Sequence, residues 1–451
     1  MEDRNPPAQP AIIPRPEHNI SRANISSNAL KVLYRLHDAG HRACLVGGGV
    51  RDLLIDRKPK DFDVATDARP EQVYRLFRNC RLIGRRFRLA HVQFGQDIVE
   101  VATFRAHGDD TEDGDGPTVE RAADGRILSD NVYGSIEDDA WRRDFTINAL
   151  YYDIANFAVL DYVGGMDDLR RGLIRLIGSP AQRYQEDPVR MLRAVRFAGK
   201  LDFRLDPATE APLQRMGQLL EKIPPARLFD EILKLFLGGS AARTFELLRH
   251  YQLFGWLFPA TEHCLGLAQQ PLHPKSLLLQ ALASTDNRLA EGKPVNPAFL
   301  LAALLWEPLQ DRMRRHGDHP NDVEALQAAA DLVIQDQIRR VALPRRYSLP
   351  IREIWEFQQR LTAITGKRPL RLLSHPRFRA GYDFLLLRAG TDEQAAELAD
   401  WWTRFLALDE ISRANALQPP AKGNGKSKSR RRRNRRSTRP GDPIPPSGPD
   451  S

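Results

Sequence analysis

Apolar and polar positions along the chain change period near residue 178. Before that point short β-like runs alternate with helical pieces. The stretch SNALKVLYRLHDAG places Leu30, Leu33 and Tyr34 at i, i+3 and i+4 behind a serine cap and ends at Gly40, which predicts a first helix. RACLVG, DFDVAT, CRLIG, LAHVQFG and DIVEVATF then read as strands, with RDLLI and PEQVYRLFRN as helices between them. After Gly178 the period is helical: DPVRMLRAVRFAGKL, PARLFDEILKLFL, ARTFELLRHYQLFGWLF and NPAFLLAALLWEPL are amphipathic, as are the long segments beyond them. The expected fold is α+β: a small mixed-sheet head followed by an all-α neck, body and C-terminal helical region, with disordered termini.

The expected boundaries are a disordered leader over 1–25, a head over 26–178, a neck over 179–240, a body over 241–412 and a disordered tail over 413–451. The leader is rich in Pro and lacks the apolar run of a signal peptide. His107 to Asn131 reads as a long mobile loop. No apolar stretch is long enough for a membrane span. Cys44, Cys80 and Cys264 are far apart and form no CxxC, which excludes a zinc ribbon or disulfide framework and fits the cytoplasm. The net charge of +9 is carried by the tail: from Arg413 onward there are eleven Lys and Arg against Asp442 and Asp450. A run such as KGNGKSKSRRRRNRRSTR, with no aromatic residue, suits phosphates rather than stacked bases.

The candidate chemistry lies in the head. Asp61 and Asp63, one residue apart on a strand, would face one way with Cα atoms roughly 6.5–7 Å apart. Two such carboxylates suit a pair of hard cations, and magnesium binds carboxylate oxygen together with substrate phosphate. Upstream, LVGGGVRDLL runs a strand through Gly47, Gly48 and Gly49 into a helix carrying Arg51, a turn able to approach phosphate. Glu100, on a β-like run, could reach the same metals from an antiparallel neighbouring strand. In WRRDFTINAL, Arg142 and Arg143 suit a triphosphate and Asp144 a ribose hydroxyl. In QEDPVRMLRAVRF, Asp187 caps a helix with Pro188 in its first position, and Arg190 and Arg193 share a face. Alone, each feature has a plain alternative: a solvated carboxylate, a tight turn, an ion pair, a charged helix face.

In this order, LVGGGVRD, DFDVAT, EVATFR, RRDFTINALYYD and EDPVRMLRAVRFA resemble the successive motifs of the class II nucleotidyltransferases, the family of tRNA CCA-adding enzymes and bacterial poly(A) polymerases. The resemblance covers residues from about 40 to 240. RLIGRRFRLAHVQFG, PPARLFDEILKLFL and the basic tail look like the poly(A) polymerase branch. What the resemblance implies is AMP transfer from ATP to RNA 3′ ends. Asp61 and Asp63 would hold two Mg²⁺ ions, with Asp144 ranked above Glu100 as the third catalytic acid. Gly48, Arg51 and Arg143 would contact the nucleotide, and Asp187, Arg190 and Arg193 would face its base and phosphates. The implied partners are ATP and RNA, with no membrane. CCA addition to tRNA and an inactive RNA-binding protein are the competing readings.

Overall fold

The computed structural model describes residues 9–84, 88–106, 120–121, 127–129, 132–267, 276–316 and 323–417. The head is built on an eight-stranded sheet. In chain order its strands are β1 (Ala11–Ile13), β2 (Ala43–Val46), β3 (Asp63–Thr66), β4 (Cys80–Ile83), β5 (Leu89–Phe94), β6 (Asp97–Thr103), β7 (Leu150–Asp153) and β8 (Val159–Asp161). Across the sheet they run β1-β8-β7-β2-β3-β6-β5-β4. Every neighbouring pair is antiparallel except β3 with β6, which is parallel.

The five strands that hydrophobic patterning predicts are present as β2 to β6. Three more strands go beyond that prediction. Two of them, β7 and β8, follow the RRD motif. The third, β1, lies inside the segment expected to be a disordered leader, and this is a correction. From residue 9 the leader is ordered: β1 adds to the sheet edge against β8, and Ile13, Ile20 and Ile25 are buried in the core. Three isoleucines spaced through a Pro-rich segment give it enough apolar surface to dock, although no single window shows a period. At the other end the boundary at residue 412 is also corrected. A helix spans Glu410–Ala416, with the Arg413 guanidinium donating to the carbonyls of Phe405 and Leu406. Residues 418–451, and so the arginine-rich run, lie outside the described residues. So does most of the expected mobile loop, within which Glu120–Arg121 and Ile127–Ser129 pair as a short antiparallel ladder.

One face of the sheet is covered by α1 (Ser27–Asp38). Ser26 caps this helix, accepting from the Ala29 amide at 3.1 Å, and Ala29, Val32, Leu33 and Leu36 are buried beneath it. At roughly 1.5–3 kcal/mol for each large side chain, that stripe suffices to hold α1 on the sheet. The chain leaves the helix through Gly40, whose φ of 83° favours glycine. Strand residues alternate accordingly. Leu45, Val64, Val101 and Tyr152 belong to the main core on the α1 side. Val46, Ala65 and Tyr151 belong to a second cluster on the opposite side, with Ile136 and Ala140 of the helix Ile136–Arg142. That helix is fixed by a capping box in which Ser135 accepts from the Asp138 amide and Asp138 accepts from the Ser135 amide.

Beyond the head, described structure is nearly all helical. The neck helix Val189–Leu201 packs against the helices Pro225–Phe236 and Ala241–His250, and the main core continues unbroken from the sheet into this bundle. A separate cluster around Trp402, Phe378 and Tyr382 closes the C-terminal end.

Candidate active site

The acidic pair sits at the start of β3, an inner strand of the sheet between β2 and β6. The sequence places both members in register on a buried strand. In the structure only Asp63 is in the strand; Asp61 precedes it, and both residues are exposed. The face that Asp63 uses follows from register. Val64 pairs with Val101 and both enter the α1-side core, so Asp63 and Glu100, one step earlier on each strand, turn to the opposite side. Glu100 therefore lies beside Asp63, as expected, but through a parallel pairing rather than the antiparallel one anticipated.

Asp63 senses this company. Its carboxyl is pushed from the ordinary 3.8 up to about 6, first by burial, then by the charge of Glu100, with Arg143 pulling down and Asp61 adding a smaller upward push. Although the residue as a whole is exposed, protein packed around the carboxyl strips enough water from it to dominate. Glu100 leans on the other side toward His91, with Oε1 3.3 Å from Nε2. Among the described residues no group of three or more His, Cys, Asp or Glu side chains is already gathered tightly enough to grip an ion. What the site offers is three carboxylates on one patch, with Asp63 feeling the charge of the other two. These are hard oxygen donors of the kind that suit Mg²⁺ bound jointly by protein and phosphate, so the residues fit the implied ions.

The glycine turn stands against this patch. Gly47 has φ 74° and ψ −138°, a conformation closed to L side chains, and leads β2 directly into α2 (Gly48–Leu54). A Cβ on Gly49 would meet the Asp61 carbonyl at 3.3 Å, so its bareness lets the turn and the acidic segment approach. A Cβ on Gly47 would lie 3.8 Å from Nη1 of Arg143, which places that guanidinium over the turn.

Arg143 is held from behind. Its Nε and Nη2 donate to Asp139 and its Nε also to the Tyr151 hydroxyl at 2.8 Å, with the guanidinium 5.2 Å from that ring's centre. Buried Asp139 is kept ionised below its usual range: burial alone would raise it, but Arg143 and Arg142 outweigh that. Arg143 is thus a cation pre-set beside Asp63 and the glycine turn.

Arg51 lies inside the fold. It is 2% exposed, donates to Asp52 and Asn148, and stacks 5.2 Å from Phe197. It braces α2 against the neck helix, and Gly48, whose Cβ would fall 3.5 Å from the Arg51 Nη2, lies over that brace.

Asp144 also stands apart from the acidic patch, and is not among the charges acting on Asp63. Its Oδ2 is 2.7 Å from Nη2 of Arg193, and its Oδ1 accepts from the Phe145 amide. Burial would raise its carboxyl, but Arg193 and Arg190 hold it below the usual range. The geometry thus sets Glu100, not Asp144, next to the pair. Arg190 is buried and bound to Glu186 and the Arg183 carbonyl. The cap position of the neck helix falls on Pro188 and not on Asp187, which stands one residue before it, accepts from the Val189 amide at 3.3 Å and takes Nη2 of Arg227 at 2.6 Å.

Sequence reasoning missed the supports. Arg183 donates to the carbonyls of Arg142 (2.7 Å) and Arg143 (2.5 Å) and clamps the motif backbone to the neck. Burial and nearby Arg190 push its guanidinium down to about 10. A partner forty residues away leaves no local signal. Asp139 did leave one, since it stands four residues before Arg143 on a helix.

Comparison with known proteins agrees with the order of these motifs. Residues 43–175 match the poly A polymerase head domain, 202–265 a probable RNA and SrmB-binding site of polymerase A, and 318–437 the arginine-rich C-terminus of polymerase A. Poly(A) polymerase I of Salmonella typhi is 50% identical over 434 residues, 94% of this chain and 93% of its own. The chain belongs to the poly(A) polymerase I family.

Its kinship to CCA-adding enzymes is more distant. That of Lactobacillus helveticus is 38% identical over 225 residues, only 50% of this chain. The solved structure of the Bacillus stearothermophilus CCA-adding enzyme with CTP is 26% identical, covers 84% of this chain and 82% of its own, and superposes with a TM-score of 0.54. A polymerase of this family is therefore a nucleotidyltransferase head on a helical body shared in outline with CCA-adding enzymes.

Proposed function

We propose that the protein is a template-independent poly(A) polymerase: an RNA 3′-hydroxyl attacks the α-phosphorus of ATP, AMP joins the chain and pyrophosphate leaves. The observation that carries this reading is the acidic patch of Asp61, Asp63 and Glu100 facing the Gly47 turn and Arg143, in a chain half identical to poly(A) polymerase I along nearly its whole length. The likeness to CCA-adding enzymes is confined to the shared fold and motifs.

Asp61 and Asp63 would hold two Mg²⁺ ions, with Glu100 in reach of the same patch. Bound there, the metal lowers the pKa of the attacking hydroxyl and offsets charge on the departing phosphate. The protein's own contribution is positioning and charge. Arg143, ionised and anchored by Asp139 and Tyr151, is already ordered for binding the triphosphate. Gly47 to Gly49 let backbone approach the phosphates with no side chain between. Asp187, Arg190 and Arg193 take the base and phosphates by exchanging their present partners Arg227, Glu186 and Asp144 for the nucleotide. Arg183 keeps the Arg142–Arg143 backbone in register with the neck, so base and triphosphate are held by one connected frame. No described helix is long and apolar enough to cross a membrane, and we place the enzyme in the cytoplasm, acting on RNA in processing and decay.

The test is to incubate the protein with a non-tRNA oligonucleotide and each NTP singly. Long tails from ATP alone are expected, and Asp61→Ala should abolish them while the fold is kept. Short, tRNA-restricted addition of CTP and ATP would instead make it a CCA-adding enzyme.

A further inference from the structure

The helical body holds a cavity of about 170 Å³ far along the chain from the acidic patch. It opens between the helices Trp306–His316, Arg345–Arg360 and Glu393–Ala407. It is large enough for one planar base. Trp306, Trp355 and Met313 give it apolar walls. The Arg388 guanidinium lies 5.0 Å from the centre of the Trp306 ring and is fixed there by Asp392 at 2.7 Å and by the side-chain Oε1 of Gln358 at 3.3 Å. The result is a rigid, cationic, aromatic floor, the surface on which nucleic-acid bases stack.

The polar lining is mostly carboxamide. Gln358 serves the fold: its amide nitrogen donates to the carbonyls of Ile354 and Gly381. Gln310 and Gln394 also line the cavity, and neither side chain makes a hydrogen bond to any described residue. A glutamine presents a donor and an acceptor side by side, the complement of adenine's N6 amine and N7. Among the described residues no carboxylate lines the cavity; cytosine's N4 amine and N3 offer a glutamine the same pair, so it is the wider purine ring on the stacking floor that favours adenine. At the rim, Arg314 is 68% exposed, with Asp311 no nearer than 3.8 Å. Lys367, Arg368 and Arg371 are exposed on the segment that follows the cavity-lining Thr362. Arg314, which lines the cavity, is the rim cation closest at hand for the phosphate of a captured base.

We infer that this cavity is an adenine-binding subsite, which takes one base of the polyadenylate already made, upstream of the growing 3′ end. The inference rests on the reading of the protein as an enzyme that extends RNA with AMP. It gives the helical body a role in that reaction, because a polymerase whose body grips its own product holds A-rich RNA longer than other RNA.

The full chain is compared with Gln310→Leu and Gln394→Leu, singly and together, for equilibrium binding to oligo(A) and oligo(C) of equal length. Wild type is expected to prefer oligo(A). The double variant should lose about tenfold in affinity for oligo(A) and change little for oligo(C). AMP addition at saturating RNA should stay at the wild-type rate, since neither glutamine touches the acidic patch. Free AMP serves as a competitor. Because the site takes the base itself, excess AMP should weaken oligo(A) binding by wild type more than by the double variant, and equal effects on both would overturn the inference. Equal loss for both oligonucleotides, or no loss for either, also overturns the inference. If wild type adds no AMP at all, it is the proposed function that fails, a result separable from the binding comparison.

Discussion

Asp63 carries a cost that only its function explains. With its carboxyl raised from 3.8 to about 6 by burial and by Glu100, the folded chain keeps a proton that the unfolded chain releases between those values. Stability therefore falls as pH rises through that window, and the penalty is complete above about pH 6. Because the residue is exposed, solvent screening limits the penalty to about 1 kcal/mol. Asp63→Asn should raise the melting temperature of the metal-free protein at pH 7.5, with the gain vanishing near pH 4, while AMP addition is lost. Thermal melts at the two pH values check this, and a variant less stable than wild type at pH 7.5 would contradict it. Added Mg²⁺ should stabilise wild type and not the variant. Asp63 was readable as a strand residue because alternation is local, whereas Asp61 precedes the strand. That Glu100 neighbours Asp63 was half readable: its strand was visible, but parallel pairing depends on which strands meet through an intervening helix and hairpin, which no local window encodes. The partners of Arg51 and Asp144 were unreadable for the same reason. Asn148 and Arg193 lie far along the chain, and an arginine that serves phosphate looks identical in sequence to one that serves a buried aspartate.

At the scale of the element, the turn from β2 into α2 decides whether the acidic patch and Arg143 meet. Gly47 supplies the backbone conformation, with φ 74°, and Gly49 the close approach to the Asp61 carbonyl at 3.3 Å. Gly47→Ala should cost about 2 kcal/mol of stability through backbone strain and should raise the KM for ATP, because the turn shifts under Arg143. A variant with unaltered melting temperature and unaltered KM would show that the turn tolerates a side chain. The neck helix has a matching role. Its start was legible from the Asp-Pro pair to within one residue, since the cap falls on Pro188 rather than Asp187. Its burial of Arg190 was not, since an arginine row reads as a solvated face until its packing neighbours are known. β1 is the clearest illegible element: its edge position is set by β8, nearly 150 residues away.

At the scale of the molecule, the core runs without a break from the sheet into the neck and body, and Arg193–Asp144 and Arg183 tie the motif segment to the neck. The head and the helical neck and body thus form one frame. The arginine-rich run lies outside the described residues. The tail's charge equals the whole net charge of +9, so deletion from Lys422 onward should weaken RNA binding and flatten its dependence on salt, with single-nucleotide addition at saturating RNA much less affected. Equal loss of binding and of single addition would assign the tail to catalysis instead. Head and helical body were legible as whole blocks because their periods differ, whereas their mutual clamps, made by single arginines, were not.

The most direct test of the account is a crystal of the protein grown with ATP and Mn²⁺, read by the anomalous signal of the metal. The account predicts manganese peaks bridging Asp61, Asp63 and the triphosphate, with Arg143 on the phosphates. A triphosphate bound elsewhere, with no peak between those two aspartates, would contradict it.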